Sequence, residues 1–309
     1  MKRRDFLAGT ALVAAGLTVV GRGGLRAQAA GGAAAGDGAE GWVPLRRNMG
    51  IFNGRGGTIG WLADNRARVA VDTQFPDTAA RALALLRRGR EGPLDVTINT
   101  HHHGDHTAGN GVFGPASRQL VAHANVPAAQ RRQAKQRGTL DAQVYATTTF
   151  TDQWRMDLGD EVVAAKYFGP AHTSGDVVVY FEKANVAHLG DLMFNRLYPV
   201  IDGPAGANIG NWAKILDRIV AEYPADVIFV FGHGKSSFGV TGGREELAVL
   251  RDYLLGLLDF TAAQIAAGKS REEILTTANL PGFPDFHQDL PNQLGNNLGV
   301  AYDELMRAG

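Results

Sequence analysis

The sequence predicts a single α/β (α+β) domain, and two features of its 309 residues support this fold class. Short apolar runs typical of strands alternate with segments of helical periodicity, in two similar halves that each place strands before helices. After residue 41, neither a second linker nor a short-period repeat interrupts this pattern. The hydrophobic fraction of 45% is that of a globular protein long enough to bury a large core.

The first half begins with strands. Residues 48–72 predict adjacent antiparallel strands, because short apolar stretches there are broken by Gly and Asn. Residues 77–89 have helical periodicity, with an aspartate at the start and a glycine at the end. The β-rich run LDVTINT at 94–100 then leads into a histidine cluster. The remaining predicted elements of this half are a strand at 119–123, a helix at 124–137 and further strands within 147–168.

The second half repeats the order. Two long apolar runs, at 176–182 and 184–191, predict buried strands. The elements predicted after them are a helix at 208–221, a strand at 226–234 and helices at 243–266, 270–278 and 297–307.

The first 29 residues predict an export signal of a bacterial protein. A basic head precedes an apolar run from Phe6 to Val20, and Ala27-Gln28-Ala29 is typical of a cleavage site. The run is short for a membrane span, and Arg3-Arg4 followed by Asp-Phe-Leu resembles a twin-arginine signal. We therefore expect the twin-arginine export machinery as a partner, a periplasmic or secreted location, and no stable membrane anchor after cleavage. An ordinary secretory signal or an uncleaved anchor is the alternative.

Residues 30–41 (AGGAAAGDGAEG) predict a flexible linker without core-forming side chains. The expected folded domain is therefore 42–309.

The composition excludes several classes of function. The first 29 residues carry five basic side chains and one aspartate, so their removal leaves 26 basic against 30 acidic residues. Such a surface does not support nucleic acid or an anionic membrane as a partner, and we expect a small-molecule substrate. The chain has no cysteine, which excludes a disulfide framework, a thiolate metal site and a cysteine nucleophile.

The most informative motif is THHHGDHTAG, at residues 100–109. It places His101, His103, Asp105 and His106 within six positions. Imidazole together with carboxylate suits zinc, and also iron or manganese. In an extended segment the first and third histidines lie on one side, and the glycine after them allows a turn toward a second point in space. The spacing therefore indicates two metals; a solvated or adventitious His-rich loop is the alternative.

Three more segments supply metal-competent side chains, each beside a predicted strand. GPAHTSGD places His172 in a Gly/Pro/Ser turn, where a core histidine is uncommon. HLGDLMFN places Asp191 after a buried run, where an ionised carboxylate needs a partner such as a cation, or else caps the following turn. VIFVFGHGKS places His233 between glycines that allow close backbone approach, although a simple turn histidine would look the same.

The order of these motifs resembles that of the metallo-β-lactamase-fold hydrolases. H-x-H-x-D-H is followed by a His, then an Asp, then G-H-G, over about residues 45–235. The resemblance implies a four-layer αββα sandwich with the site at the sheet edges. It also implies that VAVDTQF, at 69–75, carries an aspartate, Asp72, that supports the ligands through hydrogen bonds.

Position by position, the resemblance implies a two-metal centre built only from His and Asp, with two Zn²⁺ expected and Fe or Mn as alternatives. The implied ligands are His101, His103 and His172 for one metal, Asp105, His106 and His233 for the other, and Asp191 as the bridge. This set is similar to that of glyoxalase II-like enzymes and of one β-lactamase subclass. It differs from the subclass with a cysteine ligand, and from flavo-diiron relatives in which a Glu stands at the position of His103.

The implied activity is hydrolysis by a metal-bound hydroxide, because two cations lower the pKa of water. Asp105 and Asp191 are the predicted catalytic residues: the first orients the hydroxide and the second sets the metal spacing. The metal held by three histidines would stabilise the developing oxyanion. The cleaved bond stays open between an ester, a lactone, an amide or β-lactam, and a thioester. Residues 279–309 offer only Arg307 as a cation for a glutathione thioester, which weakens the last option.

Two other classes of function compete with hydrolysis. An iron-dependent persulfide dioxygenase shares much of this motif set. A β-lactamase proper is a narrower form of the hydrolase prediction. A non-catalytic metal-binding protein is the third class, but such a protein has no need of a bridged metal pair.

The substrate rim and the remaining histidines have weaker signals. Asn48–Gly57 and Met193–Asn208 are candidate rim segments, and the second contains Phe194, Arg196, Tyr198, Pro199 and Asp202. An arginine among aromatic residues fits an organic substrate with an anionic group, and equally a packed loop. The expected roles of the other histidines are a structural or supporting role for His123, a core position for His188, and contact with solvent or the rim for His102 and His287.

Overall fold

In the computed structural model, which describes residues 41–308, two β-sheets carry most of the strands. The first sheet has seven strands in the order β1-β2-β3-β4-β5-β6-β7, antiparallel up to β4 and parallel from β4 onward. These strands are β1 (Trp42–Arg46), β2 (Met49–Phe52), β3 (Ile59–Ala63), β4 (Arg68–Val71), β5 (Val96–Ile98), β6 (Leu120–His123) and β7 (Thr148–Phe150). The predicted signal, and all of the predicted linker except its last residue, lie outside the described residues.

The second sheet has six strands in the order β15-β13-β11-β10-β9-β8, and only the β11–β13 pair is parallel. A small parallel ribbon pairs β12 with β14. The strands of the second half are β8 (Gln153–Asp157), β9 (Val162–Tyr167), β10 (Val177–Phe181), β11 (Val186–His188), β12 (Phe194–Asn195), β13 (Ile228–Val230), β14 (His233–Gly234) and β15 (Thr241–Gly242).

Helices cover the outer faces of both sheets. Those following strands of the first sheet are α1 (Pro76–Leu86), α2 (Gly104–Thr107), α3 (Asn110–Phe113) and α4 (Val126–Arg137). Those of the second half are α5 (Ile209–Glu222), α6 (Arg244–Ala266), α7 (Arg271–Leu275) and α8 (Gln293–Ala308). No helix among residues 41–308 is both long enough and apolar enough to span a bilayer.

Three hydrophobic clusters define the layers. The central cluster joins side chains of both sheets, such as Val69 and Ile98 of the first with Val177 and Phe181 of the second. A second cluster packs the outer face of the first sheet against α1 and α3, and the third packs the second sheet against α5, α6 and α8. The order helix, sheet, sheet, helix is the predicted four-layer αββα sandwich, so this expectation is confirmed.

Both sheets are covered on two faces, and this explains the continuous apolar runs. The β10 sequence VVVYF has four of its five residues buried, because each face meets a hydrophobic layer. The run at 184–191 is a strand only over Val186–His188; a 3₁₀ turn at Gly190–Leu192 then carries Asp191. The last helix begins at Gln293, four residues before the predicted start, and α7 ends three residues before its predicted end.

Candidate metal centre

The seven candidate ligands converge at one edge of the sandwich, in short segments that follow or precede strands of the two sheets. His101, the first histidine of the cluster, comes three residues after the end of β5, and α2 begins at Gly104 in the middle of the cluster. This one-turn helix carries Asp105 and His106, which cluster with His233 while His101 and His103 cluster with His172, as the turn at the glycine predicted. His172 lies in the loop before β10, and Asp191 and His233 follow β11 and β13.

Three imidazoles form the first ligand group. His101 Nε2 lies 3.1 Å from His103 Nδ1, and His172 Nε2 lies 2.9 Å from the same His103 atom. Asp191 Oδ2 lies 3.7 Å from His101 Nε2 and 3.5 Å from His172 Nε2. The four ligand atoms lie within 4.8 Å of one another, so they surround one point.

The second group faces the other oxygen of the same carboxylate. Asp191 Oδ1 lies 3.0 Å from His106 Nε2 and 3.5 Å from His233 Nε2. Asp105 Oδ2 lies 3.0 Å from His233 Nε2 and 3.6 Å from His106 Nε2. Asp191 therefore presents one oxygen to each group, which is the geometry expected of a bridging ligand.

The chemistry of these atoms fits divalent metal ions. Asp191 is 4% exposed, and its Oδ1 atom is buried without a hydrogen-bond partner among residues 41–308. Ligand atoms around a tetrahedral zinc at about 2.0–2.1 Å lie about 3.3 Å from one another, close to the spacings seen here. Without an ion the buried Asp191 Oδ1 atom has no partner. A cation beside it would compensate this atom.

The electrostatics differ between the two groups. Burial lowers the pKa of His101 well below its ordinary value and that of His172 to about 4, so both rings are neutral and keep a lone pair for a metal. In the second group burial opposes the charged form of His106, but Asp191, Asp105 and Asp72 outweigh it and raise its pKa. Burial alone would raise the pKa of Asp105 and Asp191, yet the facing imidazoles hold both well below the usual range. Both carboxylates are therefore ionised.

A hydrogen bond at the far ring nitrogen holds four of the five imidazoles. Two of the partners are aspartates: His106 Nδ1 contacts Asp72 Oδ2 at 2.8 Å, and His103 Nε2 contacts Asp202 Oδ2 at 2.9 Å. His101 Nδ1 contacts Thr100 Oγ1 at 3.1 Å. His172 Nδ1 contacts the Val200 carbonyl at 2.6 Å. Such contacts fix the tautomer and the ring orientation. The supporting role expected of Asp72 is seen directly, and Asp72 also accepts hydrogen bonds from the Thr100 amide and hydroxyl.

Two supporting carboxylates were not found from the sequence. Asp202 was placed only on the rim, because nothing near it in the chain links it to His103, 99 positions earlier. Asp176 is buried and accepts hydrogen bonds from the Thr173 amide and hydroxyl, which shapes the turn after His172. Burial raises the pKa of Asp176 to about 7. An aspartate three residues after a threonine, in a segment rich in glycine, is the signal that could have identified it.

Comparison with known proteins places this centre in a family. The sequence profile described as "Metallo-beta-lactamase superfamily" matches residues 53–233, more than half of the chain and all seven candidate ligands. The chain belongs to the metallo-beta-lactamase superfamily.

The relatives that the chain matches are named for different activities. The chain is 28% identical to the 2,4-dinitroanisole O-demethylase subunit alpha of Nocardioides sp. over 41% of its own length and 38% of that protein. It is 22% identical to the metallo-beta-lactamase IND-1 of Chryseobacterium indologenes, over 62% and 80% of the two chains. The chain thus spans about two fifths of the demethylase subunit.

Solved structures support the metallo-beta-lactamase fold. The sec-alkylsulfatase of Pseudomonas sp. aligns with a TM-score of 0.65 at 17% identity, over 85% of this chain and half of the sulfatase. The metallo-beta-lactamase of Hirschia baltica aligns with a TM-score of 0.54 at 20% identity, over 69% and 96% of the two chains. At these identities the likeness concerns the fold alone.

The remaining histidines of this metallo-beta-lactamase domain lie outside the two groups. His102 is only 3% exposed, its Nε2 lies 3.6 Å from Asp202, and burial lowers its pKa to about 3. The expected contact with solvent is therefore wrong for His102, whereas its approach to Asp202 agrees with the expected contact with the rim. His287 is exposed and lies against the side chain of Lys235, as expected of a solvent contact.

His123 and His188 have structural contacts. His123 stacks on the Tyr167 ring at a centroid distance of 4.0 Å, and its Nε2 meets the Thr151 carbonyl. His188 is fully buried; its Nε2 meets the Thr58 carbonyl and its Nδ1 accepts from the Gly190 amide. Both agree with the roles expected of them.

A cavity of about 520 Å³ opens over the metal centre. Its floor includes His103, Asp105, Asp191 and His233, so both ligand groups face it. Part of the wall, at Asp289, Leu290 and Gln293, comes from beyond residue 233, where the family match ends. A C-terminal segment outside the matched region therefore shapes the space that a substrate would occupy.

The predicted rim segments contribute unequally to this cavity. Phe194 and Tyr198 line it, and Gly56 represents the earlier segment. Arg196 does not line it: its guanidinium lies over the Phe238 ring, 5.1 Å from the centroid, and donates to Asn195 Oδ1. The cation in the wall is instead Arg137, at the end of α4.

Proposed function

We propose that this protein is a hydrolase that uses two metal ions, held by the two ligand groups around Asp191, to direct water at an electrophilic bond. One observation carries the proposal: Asp191 presents Oδ1 to one group and Oδ2 to the other, at the floor of a cavity large enough for a small organic molecule. A single structural metal would need neither a shared carboxylate nor an open face.

A metal pair held by these residues would supply a water molecule that ionises near neutral pH, and would polarise the bond to be broken. The chain's own residues prepare this chemistry. The neutral rings of His101 and His172 donate lone pairs without having to lose a proton. Asp105, in the cavity floor, accepts hydrogen bonds and is suited to orient the attacking water. In hydrolysis of an ester, water adds to the carbonyl, the C–O bond to the leaving group breaks, and a proton passes to the departing alcohol.

The proposed metal is zinc, because a His-rich tetrahedral group is its common setting, with iron or manganese as alternatives. The ligand set contains only His and Asp, which supports the glyoxalase II-like arrangement of the superfamily rather than one with a cysteine ligand. Elemental analysis of protein purified without added metal tests this point. Two metal ions per chain are expected, and one or none would contradict the dinuclear proposal.

The substrate is tested with a panel. An ester, a thioester, a lactone and a β-lactam cover the hydrolytic reactions of interest. The names of the relatives add a secondary alkyl sulfate and 2,4-dinitroanisole. Turnover of one class that is lost in Asp191→Ala, together with its bound metal, supports the proposal. Iron in the purified protein with oxygen uptake on a persulfide, and no hydrolysis, would favour the dioxygenase instead.

We also propose that the protein is exported through the twin-arginine route. The Arg3-Arg4 pair, the short apolar run and the Ala27-Gln28-Ala29 site support this. Replacing both arginines by lysine should retain the protein in the cytoplasm, as measured by cell fractionation. Unchanged export would contradict a twin-arginine route.

A further inference from the structure

Arg137 holds a distinctive place in the cavity wall. It is the last residue of α4, and its side chain extends to the start of α2. A methyl group built on Gly104 would lie 3.4 Å from Arg137 Nη1. Because Gly104 separates His103 from Asp105, the guanidinium lies over the backbone between the two ligand groups.

The charge of Arg137 is not matched by a protein carboxylate. Within residues 41–308 it forms no ion pair, while the nearby carboxylates of Asp105 and Asp191 face His233 and His106. Arg131, on the same helix, lies over the Tyr145 ring at 4.6 Å and does not line the cavity. Arg137 is therefore a cation that faces the cavity with its hydrogen-bond donors available.

The rest of the cavity wall suits an apolar group. Phe194, Leu197 and Tyr198 line the side formed by the segment after Asp191, and Leu290 adds to it from the C-terminal segment. Asp289 is the one lining carboxylate outside the ligand groups, within the described residues. Its charge disfavours an anion near it and leaves the Arg137 side as the electropositive part of the wall.

We propose that Arg137 is an anion-binding subsite, and that the substrate is an organic anion whose carboxylate or sulfate group lies against its guanidinium while an apolar part packs on Phe194, Leu197 and Tyr198. This inference rests on the proposed function for the cleaved bond, but it concerns substrate recognition. The planar fork of an arginine binds two oxygens of such a group at once. The anionic group of the substrate would thus bind Arg137, and not Arg196, which the sequence placed on the rim.

The test measures binding by calorimetry to the metal-loaded protein at neutral pH. The probes are N-(para-nitrophenyl)glutaramate, which carries a carboxylate, and N-(para-nitrophenyl)butanamide, which lacks it. A charge-assisted hydrogen bond predicts that the wild type binds the anion about 10- to 100-fold more tightly. Arg137→Gln should abolish this preference, Arg137→Lys should restore part of it, and Arg131→Gln should leave it unchanged. If wild type and Arg137→Gln prefer the anionic probe equally, the proposal is overturned. Direct binding of the carboxylate to the metals would give this result.

A parallel assay separates this inference from the proposed function. The corresponding esters, mono-para-nitrophenyl glutarate and para-nitrophenyl butyrate, report hydrolysis. If both are hydrolysed at rates indifferent to Arg137, and binding is indifferent as well, the hydrolase stands and the subsite fails. If neither is hydrolysed while the binding preference depends on Arg137, the subsite stands and ester hydrolysis fails.

Discussion

Asp191 is the residue on which both ligand groups depend. Its two oxygens lie 3.0 Å from His106 Nε2 and 3.5 Å from His172 Nε2, and it is nearly inaccessible to solvent. An ionised carboxylate in such a position is costly unless cations compensate it. At the scale of single residues, a bound metal would thus compensate the buried charge of Asp191. The side chains that orient the imidazoles would determine how tightly the metal is bound.

Asp202 offers a test of that orientation. Asp202→Asn keeps the size of the side chain but weakens the contact to His103 Nε2, now 2.9 Å, which holds the ring with Nδ1 toward the first metal. We expect metal affinity of the first group to fall by about 10- to 100-fold, because loss of such a partner loosens a metal-bound imidazole. Competition with a chromophoric chelator measures the affinity. Asp289→Asn, which alters a cavity carboxylate that holds no ligand, is the control.

Asp176 predicts a pH dependence of stability. Burial raises its folded pKa to about 7, above the unfolded value of about 3.9. The folded state therefore binds the extra proton between about pH 4 and pH 7, and stability falls as the pH rises through that window. Asp176→Asn removes this titration. Its free energy of unfolding should decline less from pH 5 to pH 8 than that of the wild type, by up to about 3 kcal/mol.

Urea unfolding with a chelator present measures the free energy of unfolding of the wild type and of Asp176→Asn at each pH. Parallel pH profiles for wild type and Asp176→Asn would show that the carboxyl is ionised across the whole range and would contradict the prediction.

At the scale of elements, close packing between turns positions the bridging carboxylate. The turn after β13 lies against the 3₁₀ turn that carries Asp191: the Gly232 amide donates to the Gly190 carbonyl at 2.7 Å. A methyl group on Gly232 would overlap Asp191 Oδ1 and lie 2.8 Å from the Gly190 carbonyl carbon. Only a glycine fits at position 232 without displacing Asp191, because the two turns must approach closely for both groups to share one carboxylate.

Gly232→Ala tests this packing. We expect displacement of Asp191, loss of at least one metal per chain and a large fall in turnover, while the fold persists because the overlap is confined to two turns. Elemental analysis and circular dichroism measure the two effects. Gly111→Ala, at a site with nothing within 4 Å of the added methyl group, should keep its full metal content.

At the scale of the whole molecule, the candidate metal centre takes its ligands from segments that follow strands of both sheets. Asp105 and His106 follow a strand of the first sheet, while Asp191 and His233 follow strands of the second. A metal that binds this arrangement, and not the unfolded chain, stabilises the fold by mass action. The site is therefore a structural link as well as a candidate reaction centre.

Metal removal should lower thermal stability. At free metal about 100-fold above its dissociation constant, each bound ion contributes about 2.7 kcal/mol, which corresponds to roughly 5–10 °C in Tm for a domain of this size. Differential scanning calorimetry with and without a chelator measures the shift. Asp191→Ala should melt at the same temperature in both conditions, and a metal-dependent shift in that variant would contradict the bridging assignment.

The sequence by itself determined the fold class, the family and a set of seven candidate ligands. The hydrophobic periodicity of strands and helices is a local signal, and the His and Asp motifs occur in a fixed order along the chain. Both signals can therefore be recognised without knowing which residues are in contact. That the ligands hold metal is still a prediction, as is the export signal.

Only the tertiary structure decided what surrounds the ligands. The contact between His103 and Asp202 joins residues 99 positions apart, and α4 brings Arg137 to Gly104 while the stack on Phe238 keeps Arg196 out of the cavity wall. The burial of His102 likewise depends on neighbours that are distant in sequence. The physical reason is common to all three: the direction of a side chain and its solvent exposure are set by packing between elements, and packing has no local signature.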